Sequence, residues 1–209
     1  MEVNETVLEV GLTGGIASGK TTVRAYFERR GIPTLDTDQV VHTLYRPGTD
    51  VTKEVVAHFG PTVIGADGSI DRKALGNIVF DDENERRALE TIVHHHVFDS
   101  VKLFFSKIRE QGEQNVAVVD AALMIETGSF KQYDRIVVVY CENSLQKMRL
   151  MDRDGIDMKS AEDRVNLQMP LDEKRKLADY VIDTSGNLSE TFFRASHVID
   201  QLQEEAING

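Results

Sequence analysis

The stretch LEVGLTGGIASGKT, residues 8–21, joins an apolar run to a glycine-rich segment that ends in Gly-Lys-Thr. The apolar and β-branched residues of Val7–Thr13 predict a strand, and Gly19–Arg30 has the pattern of a helix. Residues 14–21 fit the spacing G-x-x-x-x-G-K-[ST]. Glycines let the backbone turn around an anion with its N–H groups inward, and the helix start adds positive potential. The stretch predicts a phosphate-binding loop; the alternative is a chance match on a structural turn.

Strands and helices alternate along the rest of the chain. The candidate strands are Pro33–Leu35, Val116–Val119, Ile136–Tyr140 and Tyr180–Asp183. One candidate helix begins after Asp38. Three others cover Thr49–Phe59, Ser144–Asp152 and Leu188–Glu205. Continuous apolar runs are typical of strands that are covered on both faces. The alternation therefore predicts an α/β fold, a parallel sheet with helices on both sides.

The middle of the chain, Thr49–Phe105, has helical patterns without strands and predicts an inserted helical subdomain. Within it, apolar residues three and four positions apart over Asp81–Glu110 predict one long helix or two abutting helices. Ile64–Ile70 contains two glycines and is predicted to be a loop. The charged stretch Arg153–Lys176 also has a helical pattern.

Composition limits the classes of function. The 209 residues carry 24 Lys and Arg against 35 Asp and Glu, a formal net charge of −11. Such a chain lacks the broad positive surface that nucleic-acid backbones require. The single cysteine, Cys141, cannot form an internal disulfide, and residues 1–10 lack the pattern of a secretory leader. No run of about 18 apolar residues marks a membrane span, so we expect a cytoplasmic protein that acts on small molecules.

Acidic residues at predicted strand ends are candidates for catalysis. Asp36 and Asp38 follow Pro33–Leu35 and point to the same side if the chain is still extended there. A carboxylate at the carboxyl end of such a strand could orient a hydroxyl or accept its proton; alternatively, one of the two caps the next helix. Asp120 ends the run Val116–Val119 and could hold Mg²⁺ directly or through water, or be an ordinary strand-terminal residue.

Arginines follow the strongest predicted strand. Arg149 and Arg153 are four residues apart and share one helix face, and Arg164 lies further along. Guanidinium groups that close over a phosphate neutralise developing charge and exclude water; the alternative is a solvated face with nearby Asp partners. The run His94–His96 is not expected to bind a metal, because consecutive residues of a helix point about 100° apart.

Taken in order, these motifs resemble the dephospho-coenzyme A kinase family over nearly the whole chain. The family usually shows GLTGGIGSGKS where this chain has GLTGGIASGKT, and an Asp-x-Asp motif where it has Asp36-Thr37-Asp38. The later matches are Asp71–Gly76 with Phe80, Leu89 to His94, Asp120–Glu126, Arg149 to Gly155, Arg164 to Gln168 and Ala178–Gly186. The chain departs from the family at His95, Ala122 and Ile125, where the family has proline, proline and phenylalanine.

The resemblance implies a fold and an activity. The fold is the three-layer α/β fold of P-loop nucleoside-triphosphate hydrolases, with a core of about residues 7–48 and 112–209. A helical acceptor-binding subdomain covers about residues 49–111, and a mobile lid covers about residues 153–176. The activity is transfer of a phosphoryl group from ATP, with Mg²⁺, to the ribose 3′-hydroxyl of dephospho-CoA.

The resemblance also implies roles for individual residues. Asp38 would act as the general base or orient the hydroxyl, and Lys20 and Arg153 would stabilise the migrating phosphoryl group. Thr21, with Asp120, would place Mg²⁺. Nucleotide contacts would come from Gly14, Gly15, Ile16, Ala17, Ser18, Gly19, Lys20, Thr21, Thr22, Arg149, Arg153, Ser185 and Gly186. The acceptor would face Asp38, Arg72, Phe80, His94 and Glu126.

Two other functions share part of the pattern. Another P-loop kinase, acting on a nucleoside or a nucleotide, would share the loop and the arginines, but the helical insertion and Ala121–Glu126 disfavour it. A nucleotide-driven switch or binding module would bind ATP without transferring a phosphoryl group. Asp36 and Asp38 count against a switch, because a switch does not need a carboxylate aimed at a hydroxyl.

Overall fold

The computed structural model describes residues 7–208, except the side chain of Asp81. Within this range a five-stranded sheet has the order β2-β3-β1-β4-β5. The strands are β1 (Leu8–Gly14), β2 (Thr34–Asp36), β3 (Val116–Asp120), β4 (Arg135–Tyr140) and β5 (Tyr180–Asp183). Residues 1–6, which belong to the segment assessed for a secretory leader, lie outside the described residues.

The central strand fixes the direction of the sheet. β1 pairs in parallel with β3 and β4, and β4 pairs in parallel with β5. Leu12 lies opposite Asp120, and Tyr140 lies opposite Asp183. The carboxyl ends of these strands therefore meet at one edge, which is where open α/β sheets bind ligands. The parallel sheet predicted from the alternation of elements is confirmed.

Helices connect the strands. Those before β3 are α1 (Lys20–Arg29), α2 (Thr37–Leu44), α3 (Asp50–Phe59), α4 (Arg72–Asp81) and α5 (Glu83–Gln111). Those after β3 are α6 (Asn143–Asp154), α7 (Met158–Asn166), α8 (Leu171–Lys174) and α9 (Leu188–Asn208). Among the described residues, none of these helices has both the length and the apolar character needed to cross a bilayer.

Both faces of the sheet are covered. One face packs against α1 and α9 in a buried cluster that includes Val10, Leu12, Val137, Phe27 and Ile199. The other face contributes to a second cluster that includes Ile136, Val138, Met124 and Ile125. Because successive strand residues point to opposite faces, strands covered on both sides are apolar at nearly every position. This explains the continuous apolar runs in the sequence.

Two compact units make up the chain. Among the described residues, one comprises 7–35 and 105–208, and the other comprises Asp36–Phe104. The second unit has a hydrophobic core of its own, formed by Tyr45, Val51, Val55, Val63, Ile70, Leu75 and Val93. The predicted loop Ile64–Ile70 is closed by a single antiparallel bridge between its end residues.

The long helix of the second unit is uninterrupted. α5 runs for 29 residues, so the choice between one helix and two is resolved in favour of one. His95 lies within α5, at the position where the resembling family has proline. A proline inside a helix removes a backbone donor and clashes with the preceding turn. Histidine at this position therefore allows the helix to continue.

The structure differs from the periodicity in two places. Periodicity does not predict α4, although its capping residue Asp71 accepts hydrogen bonds from the N–H groups of Lys73 and Ala74, as an N-cap residue does. The stretch Arg153–Lys176 is helical as its pattern predicts, but in separate pieces, since it contains the end of α6 followed by α7 and α8. Gly155, with a φ of 64°, ends α6, and Pro170 precedes α8.

Replacing Phe27 with alanine should lower the free energy of unfolding by about 3–5 kcal/mol, because a cavity replaces a large buried ring. Phe27 is 0% exposed, whereas Phe193 on α9 is 78% exposed. Phe193→Ala is the matched control and should change the free energy by no more than about 0.5 kcal/mol. Denaturant unfolding measures both values, and equal losses would contradict the position of Phe27 in the core.

Candidate functional site

The segment between β1 and α1 turns tightly at the carboxyl edge of the sheet. Gly19 has a φ of 90°, and a glycine adopts this left-handed conformation without steric cost. Gly14 has no room for a side chain, since a Cβ there would lie 2.7 Å from Ser18 Oγ and 2.9 Å from the Val139 carbonyl oxygen. The first N–H groups of α1 have no partner within the helix. The predicted phosphate-binding loop therefore has the backbone of an anion site.

Buried polar side chains bind the carbonyl groups of this loop. The donors are Lys174 Nζ to Gly14 O at 3.0 Å, Gln146 Nε2 to Ile16 O at 2.7 Å and Thr184 Oγ1 to Ser18 O at 2.7 Å. The amide oxygen of Gln168 accepts from the N–H of Ile16 at 2.7 Å. Side chains from distant parts of the chain therefore bond three carbonyl groups and one N–H group of the loop. These hydrogen bonds fix the conformation of the loop. The sequence motif does not reveal Lys174, Gln146 and Thr184, since each has charged or polar neighbours in the sequence and nothing local distinguishes it.

Lys20 and Asp120 form an ion pair. Asp120 is 2% exposed, and Arg24 Nε lies 3.6 Å from its Oδ2 atom. Two cations therefore face one buried carboxylate at the end of β3. In the first turn of α1, Thr21 is exposed and Thr22 is half-buried. The structure brings together Lys20 and Asp120, which the sequence assigns to the phosphates and to Mg²⁺.

The predicted arginines have different partners. Arg149 on α6 donates through Nη1 to Thr184 Oγ1 at 3.1 Å and through Nη2 to the Thr184 carbonyl oxygen at 2.7 Å. Arg153 and Arg164 both contact Asp154, at 2.7 Å and 2.6 Å. The hydrogen bond from Arg153 lowers the pKa of Asp154. Arg149 is thus tied to the strand end that also holds Ser18, whereas the other two arginines share one exposed carboxylate.

Asp36 and Asp38, at the end of β2 and the start of α2, have different roles. Asp36 is the N-cap of α2, and its Oδ1 atom accepts hydrogen bonds from the N–H groups of Asp38 and Gln39 at 2.9 Å and 3.3 Å. The capping alternative is therefore confirmed for Asp36. Asp38 is the second residue of α2, so the chain is not extended there and the condition for Asp36 and Asp38 to point to the same side is not met. The carboxylate of Asp38 is not needed as the cap.

The residues assigned to the acceptor lie in different parts of the chain. Within the second unit, Arg72 lies over the ring of Tyr45 at 5.7 Å, Phe80 is 85% exposed and His94 is exposed. Glu126 lies in the first unit, where Oε1 accepts from the Met169 N–H at 3.0 Å and forms an ion pair with Lys174 at 2.8 Å. The large exposed ring of Phe80 is a feature that a ligand contact would explain.

The segment after β5 joins the carboxyl edge of the sheet. Ser185 Oγ accepts from the N–H of Glu142 at 3.1 Å, and the Ser185 N–H donates to Asp183 at 2.8 Å. Gly186 follows directly.

Cys141, the first residue after β4, is buried, and burial raises the pKa of its thiol.

The histidine run lies on α5, with separate partners for its members. His95 is 3.5 Å from Asp99, and His96 is 3.1 Å from Glu54. Among the described side chains, no group of three or more His, Cys, Asp or Glu residues has an arrangement that could hold a metal.

Comparisons with known proteins agree on one family. The family model for dephospho-CoA kinase matches residues 8–190. A dephospho-CoA kinase of Symbiobacterium thermophilum is 45% identical over 87% of this chain and 76% of its own length. One from Aquifex aeolicus is 38% identical over 94% of this chain and 98% of its own length. Among solved structures, TT1252 from Thermus thermophilus has a TM-score of 0.82 and 30% identity, covering 94% of this chain and 97% of its own.

Substitutions at Ala17 should test the strain in the loop. Ala17 has a φ of 56°, and a β-branched side chain is strained there, so Ala17→Val should lower the free energy of unfolding by about 1–2 kcal/mol. Ala17→Gly is the control; it removes strain and one methyl contact together and should stay within about 1 kcal/mol of the parent. Thermal unfolding measures both. A valine variant as stable as the parent would contradict the left-handed conformation.

Proposed function

This chain belongs to the dephospho-CoA kinase family, and from that membership we propose how its residues carry out the reaction. The reaction transfers the γ-phosphoryl group of ATP to the ribose 3′-hydroxyl of dephospho-CoA, the final step of coenzyme A biosynthesis. The substrates are small molecules. Membership of this family excludes the other P-loop kinases and the switch module as the principal function.

The phosphate loop is the observation that carries the mechanism. We propose that residues 14–22 wrap the β- and γ-phosphates of ATP with their N–H groups, and that Lys20 reaches the same oxygens. Ser18 Oγ is buried and, within the described part of the chain, has no hydrogen-bond partner. A buried hydroxyl without a partner is costly, which suits a loop that closes around a ligand. Ser185 and Gly186 are assigned to the adenine side.

The loop also fits a magnesium ion. Mg²⁺ takes oxygen ligands and keeps several waters, and the chain offers the exposed Thr21 and the carboxylate of Asp120. We assign Thr21 to Mg²⁺ directly and Asp120 through water, because Lys20 and Arg24 already face that carboxylate. When bound, the ion would neutralise charge on the β- and γ-phosphates.

The acceptor hydroxyl requires a base or an orienting group. We assign this role to Asp38. Asp36 caps α2, so the carboxylate of Asp38 is not required for capping. A carboxylate that accepts the hydroxyl proton accelerates transfer by about 10²–10⁴-fold. Arg72, Phe80, His94 and Glu126 are proposed to face the acceptor, with residues 49–111 as the acceptor-binding subdomain.

The arginines of α6 and α7 are proposed to act on the transferred group. Arg153, in a lid of about residues 153–176, is assigned to the migrating phosphoryl group. Arg149, which precedes the lid, is assigned to the nucleotide. Preorganised cations stabilise the charge that develops during transfer. Arg149 has the more fixed position because Thr184 holds both of its terminal nitrogens.

We further propose a cytoplasmic location without a nucleic-acid partner. The buried Cys141 is the only cysteine, and disulfide-free chains are usual in reducing compartments. The net charge of −11 disfavours binding to a phosphate backbone.

Release of ADP with a panel of acceptors tests the reaction. The purified chain with ATP and Mg²⁺ should release ADP with dephospho-CoA and give a product that carries a new 3′-phosphate. Mixtures with a nucleoside, with a nucleotide or without an acceptor should stay near background, and omission of Mg²⁺ should abolish turnover. ADP release with the nucleoside alone would contradict the assignment of the acceptor.

Lys20→Ala should lower kcat/KM by about 10²–10³-fold, because a cation at the transferred phosphates is lost. ATP affinity should fall in the same variant. Isothermal titration with a non-hydrolysable ATP analogue measures the affinity, and steady-state kinetics measures the rate. Lys53→Ala, whose side chain is 69% exposed on α3, is the control and should behave as the parent. Parent-like affinity in Lys20→Ala would contradict the phosphate-loop assignment.

Asp38→Asn should retain ATP affinity and lower kcat by about 10²-fold or more, because an amide accepts no proton. Asp36→Asn is the matched control; asparagine caps a helix nearly as well as aspartate, so most turnover should remain. Comparison of kcat and ATP affinity for the two variants decides between them. Unchanged kcat in Asp38→Asn would remove Asp38 from catalysis.

A further inference from the structure

The most deeply buried charge in the described core belongs to Lys174, which the motifs do not assign. Lys174 is the last residue of α8 and is 0% exposed. Its ammonium lies 3.0 Å from Gly14 O, 2.8 Å from Ala122 O and 2.8 Å from Glu126 Oε1. An ammonium has three N–H donors, and here each has one oxygen acceptor.

Net stability is a poor explanation for this arrangement. Transfer of an ammonium out of water carries a large desolvation cost, and a buried ion pair often gains little over apolar side chains of similar size. Burial accordingly lowers the pKa of Lys174, and Glu126 only partly opposes that shift. Apolar side chains that replaced both Lys174 and Glu126 would avoid this cost. The geometry around the ammonium therefore points to something other than stability.

The three acceptors belong to segments that the reaction uses. Gly14 ends β1 and opens the phosphate loop. Ala122 lies two residues after Asp120, and its carbonyl oxygen also accepts from Thr13 Oγ1 at 3.2 Å. Glu126 binds the N–H of Met169, ahead of α8. Lys174 thus joins the loop, the segment that carries Asp120 and the chain that follows α7.

We propose that Lys174 is a positioning residue that holds the phosphate loop and the Asp120 segment in register for phosphoryl transfer. The proposal rests on the assignment of residues 14–22 to the phosphates of ATP. Lys174 acts through the carbonyl groups of Gly14 and Ala122, and Glu126 keeps the ammonium in place. Glu126 then serves the nucleotide side of the site through Lys174, besides any contact with the acceptor.

Replacement of Lys174 with methionine tests the proposal. The variant keeps most of the side-chain volume and loses all three donors, so the loop carbonyls lose their partner. We expect KM for ATP to rise about tenfold or more, because small displacements of binding groups are costly. KM for dephospho-CoA should rise less than KM for ATP, since Lys174 reaches the acceptor side only through Glu126, whereas it bonds the phosphate loop directly. Parent-like KM for ATP and kcat in a folded Lys174→Met variant would overturn the proposal.

Two controls separate positioning from stability. Ile199→Val trims the buried core at α9 and should lower the melting temperature without a change in KM for ATP. Lys174→Arg keeps the positive charge and several donors, and its KM for ATP should lie closer to the parent value than to that of Lys174→Met. If Ile199→Val raises KM for ATP as much as Lys174→Met, the effect is general destabilisation and the proposal fails.

A second variant covers the case in which Lys174→Met does not fold. The charges that face Lys174 are Glu126, which raises its pKa, and Lys20, which lowers it. Glu126→Gln removes the negative charge that raises the pKa of Lys174, so Lys174 loses its proton at lower pH. The alkaline limb of kcat/KM for ATP should therefore move to lower pH by about one unit. An unmoved alkaline limb would count against the proposal.

Failure of this inference and failure of the phosphate-loop assignment give different results. If Lys20→Ala abolishes ATP binding while Lys174→Met and Glu126→Gln behave as the parent, only the role of Lys174 is wrong. If Lys20→Ala itself has parent-like affinity, the assignment of the loop is wrong and the role of Lys174 fails with it.

Discussion

Each backbone unit carries a donor and an acceptor, and a loop that turns its N–H groups toward an anion turns carbonyl groups the other way. Those carbonyls cannot stay unbonded inside a protein without a large cost. Here Lys174, Gln146 and Thr184 supply the donors. The three come from α8, from α6 and from the end of β5, so the anion site depends on elements far along the chain. The rest of the fold therefore fixes the loop through the carbonyl groups that point away from the anion site.

The cations of the site are balanced by carboxylates. Lys20 and Arg24 face Asp120, and Arg153 and Arg164 share Asp154. A triphosphate would therefore replace existing partners rather than meet isolated charges. Replacing Asp154 as the partner of Arg153 and Arg164 costs little free energy, because exposed ion pairs contribute little to stability. The exchange at Asp120 involves a carboxylate that is only 2% exposed, so this pair has the stronger influence on how nucleotide and metal enter.

The sequence predicts most of the fold because its signals are local. The apolar run Val116–Val119 and the loop motif each lie within a few consecutive residues, so each is visible in the sequence. The cap at Asp36 was one of two alternatives, since capping and catalysis need the same residue type at the same place. The partners of the loop, above all Lys174, are separated from it by more than a hundred residues. Pattern reasoning along the chain does not detect such pairs, because they exist only after the strands have assembled.

Cys141 has a practical consequence. The only thiol of the chain is 0% exposed, and burial keeps it in the less reactive protonated form. Maleimide reagents and mild oxidants should therefore leave the parent chain untouched. A cysteine introduced at an exposed position, such as Leu167 at 83% exposure, would carry a fluorophore or a spin label alone. Whether the segment after α7 moves when nucleotide binds can then be tested spectroscopically without first removing a native thiol.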